Sequence, residues 1–244
     1  MKTLHQKFTD VAQNCKVKEY PNFYELCIAS RDFFLPNGWE EEKPKSSAPS
    51  GETDAAELLR RSIRRARIAI KDIALCNDFT HFVTLTLDKE KIDRYSWNEI
   101  IPKVNRWLSN CVQRKGMAYV IVPELHKDGA VHFHGLLSGS GLSFLDSGKR
   151  TGKGQMIANL KEWRFGFSAC IPLEGEYEKV CNYIMKYITK DTVKIGGRWY
   201  LSGGDLKRPK ETITSVPYED IPSEPRRAPM SGVCFKYLRV DKNA

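Results

Sequence analysis

His132-Phe133-His134 lies in an apolar run, and Tyr183-Ile184-Met185-Lys186-Tyr187 follows well downstream in a helical pattern. On a strand, side chains at i and i+2 point to the same face, so the two imidazoles project together. On a helix, residues at i and i+4 share a face, so the two phenols also project together. Imidazoles ligate divalent cations, and a phenol is a nucleophile for phosphorus. The combination points to a metal that polarises a phosphate and a tyrosine that attacks it.

Two histidines need a further ligand, and Glu124 on the preceding strand is the candidate. Its face depends on hairpin register. A three-residue loop, Lys127-Asp128-Gly129, pairs residue 126 with 130 and sets Glu124 opposite His132 and Val122 opposite His134. A two-residue Asp128-Gly129 loop would turn Glu124 away from both histidines. Two imidazoles and a carboxylate suit Mg²⁺ or Mn²⁺, with imidazole favouring Mn²⁺, and they also match zinc sites. The competing reading is two ordinary sheet histidines. His126 shares the face at the hairpin end, as a fourth ligand, a DNA contact or a solvated turn residue. His81 lies on another strand and is uncommitted.

Lys186 and Lys190 each follow a tyrosine by three residues. A tyrosine with its ordinary pKa of about 10 is a weak nucleophile at neutral pH. A neighbouring lysine or metal favours the phenolate. A phenol is also a good leaving group, so a phosphotyrosine ester conserves the bond energy for rejoining, and two tyrosines allow two consecutive transfers. Alternatively, such aromatics are core packing. Val180, Ile184 and Ile188 can supply the apolar stripe instead, which leaves Tyr183 and Tyr187 to face a site.

The elements that carry these residues follow from periodicity. Residues 81–87 (HFVTLTL) alternate as a strand, and 118–126 and 130–138 read as two more. Residues 96–114 form an amphipathic helix, and 174–190 form the tyrosine helix. Residues 163–171 and the RWYL piece at 198–201 are strand-like, whereas the Gly/Ser/Lys-rich stretch 138–155 reads as a mobile loop. An arginine-rich helix spans about 55–75, capped by Thr53 or Asp54. Its apolar stripe is Leu58, Leu59, Ile63, Ala66, Ile70 and Ile73; Arg60, Arg64 and Arg67 are candidate DNA contacts on the remainder. Further candidates are Lys190, Lys149, Arg150 and Lys153.

The predicted organisation is an N-terminal segment (1–53, with a disordered linker at about 36–53), a basic helix (54–78), a nuclease domain (79–204) and an extended, proline-rich tail (205–244). A net charge of +9 over 244 residues favours a polyanionic partner, nucleic acid before acidic membrane. Seven scattered cysteines without a Cys-x-x-Cys pair argue against a disulfide framework and a zinc ribbon. There is no apolar signal core or membrane-length stretch, so a cytoplasmic protein is expected. Gly148-Lys149 is followed by Arg150, and Ser143 stands where a P-loop needs its first glycine, which excludes a P-loop ATPase motor.

Phe82-Val83-Thr84-Leu85-Thr86-Leu87, HFHGLL at 132–137 and YIMKYITK at 183–190, in that order, resemble the three motifs of the HUH endonucleases. The two-tyrosine pattern resembles the rolling-circle replication initiators of bacterial plasmids and bacteriophages. The resemblance covers residues 80–191. It implies an α+β fold, a five-stranded antiparallel sheet with flanking helices of the RNA-recognition and ferredoxin-like kind. It also implies a metal-dependent nick in single-stranded DNA, often at an origin hairpin, giving a 5′-phosphotyrosyl enzyme and a 3′-hydroxyl that primes synthesis. By motif, His132 and His134 correspond to the metal-binding histidines, Tyr183 and Tyr187 to the nucleophiles and Lys186 to the lysine between them; Glu124 fits the third ligand by position. The implied setting is a bacterial host cytoplasm, with the host's helicase and polymerase as partners.

Other readings are a relaxase or single-strand transposase of the same superfamily, a non-catalytic module that binds single-stranded DNA or RNA, and a metal-dependent hydrolase with structural tyrosines.

Overall fold

The structure is a computed structural model and describes residues 12–35, 55–175, 177–184, 194, 197–227 and 232–242. The chain divides into two compact units, Thr53–Lys207 and Met1–Glu52 with Arg208–Ala244.

The first unit holds strands β3 (His81–Leu87), β4 (Ala118–Leu125), β5 (Val131–Ser138), β6 (Phe144–Arg150), β7 (Met156–Leu160), β8 (Gly166–Pro172) and β9 (Leu201–Gly203). It also holds helices α1 (Ala55–Cys76), α2 (Trp97–Lys115) and α3 (Tyr177–Ile184). The strands form one antiparallel sheet in the order β6-β7-β8-β3-β5-β4-β9. The expected α+β class is observed, but the sheet has seven strands rather than five. The stretch 138–155, expected as a mobile loop, supplies β6, which pairs with β7 across a register shift between Asp146 and Lys149. Gly148 with φ of 75° lies in that irregularity, where an L side chain would be strained. Short β9 pairs with β4 at the other edge.

Both sheet faces are buried, but by different partners. Val83, Leu85, Leu87 and Phe133 on one face meet Val104 and Leu108 of α2 in the larger core. α2 stops at Gly116, whose φ of 60° is left-handed and whose N–H bonds to Cys111 O. On the opposite face Val120, Val122 and Leu136 pack against Ile70 of α1 and against Cys181 and Ile184 of α3. α1 therefore covers the sheet rather than standing apart as an extension. Its buried stripe begins at Ile63; Leu58 and Leu59, expected in the stripe, are exposed because the packing surface does not reach the first turns.

The second unit corrects the reading of both termini. Strands β1 (Cys15–Glu19), β2 (Phe23–Ala29), β10 (Lys210–Thr214), β11 (Arg226–Arg227) and β12 (Cys234–Asp241) form a sheet in the order β10-β1-β2-β12-β11. The tail expected as merely extended is thus paired with the N-terminal hairpin, residue 15 with 214 and residue 29 with 235. Tyr20 stacks on Phe23, and Asn14 donates to Val216 O and accepts from Val216 N–H. Such pairings join residues far apart in sequence, so periodicity in either segment alone does not reveal them.

All seven cysteines are free thiols. Burial pushes Cys170 and Cys181 up to about 12, so both stay protonated and packed. No helix among the described residues is long and apolar enough to cross a membrane.

Gly135 ties this packing to the histidines. A Cβ there would meet Val120 O, Ile121 Cγ2 (2.5 Å) and Ile121 Cα (2.9 Å) on β4. Gly135→Ala should lower stability by about 1–3 kcal/mol through overpacking. Urea unfolding checks this; an unshifted midpoint would show that β4 and β5 can part without cost.

Candidate active site

The β4–β5 hairpin turns through Lys127-Asp128-Gly129. His126 N–H donates to Ala130 O (2.8 Å), Gly129 N–H donates to His126 O (2.8 Å), and Gly129 has φ of 85°. Asp128 accepts from Ala130 N–H (3.0 Å), and this bond holds its carboxyl below the usual carboxylate range. The register that follows sets Glu124 opposite His132 and Val122 opposite His134. Residues directly opposite in an antiparallel pair share a face. Phe167, Thr86, His132 and Glu124 therefore form one row across β8, β3, β5 and β4, and Ala169, Thr84, His134 and Val122 form the next.

Within these rows Glu124 Oε2 lies 2.8 Å from His134 Nε2. Burial holds His134 below the ordinary histidine range although Glu124 pulls the other way, so the contact is a bond from a neutral imidazole to a carboxylate. Thr84 Oγ1 lies 3.1 Å from His134 Nδ1, and Thr86 Oγ1 lies 3.3 Å from His132 Nδ1. A hydroxyl both donates and accepts, so each threonine can hold its ring in either neutral tautomer. His132 is also held low, first by burial, and its ring stacks at 5.1 Å on the exposed His126, which pairs with Asp128 at 3.3 Å. Among the described residues no three His, Cys, Asp or Glu side chains form a ready metal cluster. The donor set nonetheless has the chemistry of one. A carboxylate and an imidazole Nε2 meet at hydrogen-bond distance, a second imidazole stands across from that carboxylate, and both Nδ1 atoms face hydroxyls.

α3 brings a tyrosine to this face. Its start is fixed by Tyr177, whose phenolic oxygen lies 2.6 Å from Asn77 O and 2.8 Å from Ala74 O at the end of α1. Burial pushes that phenol far above its ordinary pKa, so Tyr177 remains a protonated anchor. With Cys181 and Ile184 turned inward, Tyr183 is 45% exposed and meets the Phe82 ring edge-on at 5.6 Å. Phe82 in turn lies 6.3 Å from the His134 ring, nearly parallel to it. Lys186, Tyr187 and Lys190 lie outside the described residues.

The structure thus brings Glu124, His132, His134, His126 and Tyr183 to one face. It does not bring Lys149, Arg150 or Lys153 there: β6 is an edge strand, separated from β5 by three others, and Lys153 follows it in the turn to β7. Arg150 is occupied by both carboxylate oxygens of Asp146 at 2.9 Å each. Arg60, Arg64 and Arg67 are exposed on the outer side of α1. Sequence reasoning missed Thr84 and Thr86 as partners of the histidines. Their signal was the Thr-x-Thr alternation on β3, which puts both hydroxyls on one face.

Residues 80–192 match the model of a replication-associated protein family, the ORF2 type. The match runs from the residue before β3 to beyond α3, spanning the site, and supports a part in replication. Neither the curated proteins nor the solved structures contain a match to the chain.

His81 adds a third low imidazole; it is half-buried and stacked at 3.6 Å on Phe144. Folded-state values below the unfolded 6.5 mean that the unfolded chain binds protons first. Their stabilising contribution is therefore present above pH 6.5 and is lost as pH falls through the lowered values. Thermal melts in EDTA should show decreasing stability on acidification below pH 6.5, and His81→Phe, which keeps an aromatic ring beside Phe144, should reduce the slope. A flat profile in that window would contradict the burial of these rings.

Proposed function

We propose that this protein initiates rolling-circle replication by nicking and rejoining single-stranded DNA. The observation that carries this reading is the row of contacts from Glu124 to His134, Phe82 and Tyr183 on one sheet face. The replication-associated match over the same residues supports it, as does the net charge of +9, which attracts phosphate.

The chemistry is a phosphoryl transfer. The Tyr183 oxygen attacks a backbone phosphorus, the bond from phosphorus to the 3′-oxygen breaks, and the 3′-oxygen takes up a proton. The products are a 5′-phosphotyrosyl ester and a 3′-hydroxyl that a host polymerase can extend. Attack on the ester by a second 3′-hydroxyl reverses the balance and frees the tyrosine. Tyr187 is the second nucleophile and Lys186 its neighbour in this reading, and a host helicase opens the duplex. Glu124, His132 and His134 would hold Mn²⁺ or Mg²⁺, whose charge polarises the scissile phosphate. Thr84 and Thr86 keep the two imidazoles aimed.

The test is a denaturing gel of the protein with end-labelled single-stranded fragments of its own replicon, with Mn²⁺ or with EDTA. A metal-dependent adduct to the 3′-side fragment, lost when Tyr183 and Tyr187 are both changed to Phe, is the expected result. Cleavage without an adduct would make the protein a hydrolase, and binding without cleavage would make it a binding module.

Metal affinity offers a second check. Thr84→Val and Thr86→Val should each weaken Mn²⁺ binding by roughly 10- to 100-fold, the usual cost of removing an outer-shell partner. Thr→Ser should restore it. Titration followed by the Mn²⁺ paramagnetic resonance signal measures this, and unchanged affinity in both valine variants would remove the threonines from the site.

A further inference from the structure

The face that carries the histidines is covered unevenly. α1 and α3 pack over Val120, Val122 and Leu136 on its β4–β5 side. On the β8 side stands Phe167, 71% exposed, the most exposed large hydrophobic side chain among the described residues. Phe167 is directly opposite Thr86, which is itself opposite His132. Adjacent strands lie about 4.8 Å apart, so the ring's backbone is on the order of 10 Å from that of His132, two strands away. Its same-face neighbours Thr86 and Ala169 are too small to cover a phenyl ring.

The ring also stands on a fixed base. Gly166 lets β8 press onto β3: a Cβ there would meet Thr86 O, Asp88 N (2.6 Å) and Leu87 C (2.9 Å). Asp88 N–H donates to Phe165 O (2.8 Å), and the ladder continues from residue 166 to 172. Exposing an apolar ring to water is unfavourable, and here the exposed ring is held rigid beside a site that handles phosphate.

We infer that Phe167 is a stacking platform for an unpaired nucleobase of the strand whose phosphate reaches His132 and Glu124. This rests on the nicking reading for its ligand. A single strand presents both faces of its bases to a side chain, and every base has a π-face, so the contact favours single-stranded over duplex DNA without reading sequence. The basic charge of the chain holds the backbone, and the ring holds a base.

The experiment measures binding of fluorescein-labelled oligodeoxythymidylate and oligodeoxyadenylate by anisotropy, in EDTA so that no strand is cut. Phe167→Ala should weaken binding by roughly 5- to 150-fold, the range that one base stacked on an aromatic ring contributes. Phe167→Trp should restore affinity, whereas Phe167→Leu, apolar but without a π-face, should not. Binding to duplex DNA should change little. Circular dichroism and melting temperature show whether each variant is folded; loss of fold in the alanine variant would leave the tryptophan-against-leucine comparison to decide. Equal affinity of the leucine and tryptophan variants, or an alanine variant that binds as tightly as the unaltered protein, would overturn the inference. So would a self-association lost in Phe167→Ala while DNA affinity is kept, since the ring would then be a contact between copies. The nicking reading fails instead on the absence of an adduct in Mn²⁺, a result that leaves these metal-free affinities intact.

Discussion

The site depends on the register between β4 and β5. Side chains alternate across a strand, so sliding the pairing by one residue would send Glu124 to the face opposite His132 and His134. The turn that prevents the slip is small. Gly129 takes a positive φ that other residues resist, and the Asp128 carboxylate caps the Ala130 N–H. Gly135 holds the same pairing from within, because only a residue without Cβ lets β5 sit this close to Val120 and Ile121. A metal-ligand set, a hydrogen-bonded His–Glu pair and a row of side chains across four strands all follow from these local constraints.

The two faces of the sheet have different tasks. α2 seals one face with a large apolar core that keeps the strands in place. On the other, α1 and α3 cover only part of the surface, and the functional side chains lie beside that cover. Partial burial keeps His132 and His134 neutral, the state in which imidazole binds a cation and in which a carboxylate can share Nε2. The two described tyrosines of α3 divide in the same way. Tyr177 is buried and bonded to backbone carbonyls, which makes it a fastening between α3 and α1. Tyr183 lies on the open side, against Phe82.

Much of the site was legible because its signals are local. His-x-His on a strand and a glycine at a three-residue turn each dictate geometry over a few residues, and β3, β4, β5 and α2 lie close to where periodicity puts them. The strand count was not legible in the same way. β6 is rich in glycine, serine and charge, and it becomes a strand only because β7 offers it a partner. The terminal sheet joins residues near 15 with residues near 214, a pairing that neither segment encodes alone.

By itself, the sequence determined which residues share a face, because helix and strand periods are properties of the backbone. It also determined the hairpin register, because Asp128 and Gly129 restrict the turn. Only the tertiary structure decided which faces meet: that Thr84 and Thr86 stand behind the histidines, that Phe82 bridges His134 and Tyr183, and that Phe167 is left uncovered. The reason is physical. Contacts across β8, β3 and β5 depend on strand order, and strand order is set by which apolar surfaces can be buried together, a condition on the whole unit rather than on any segment.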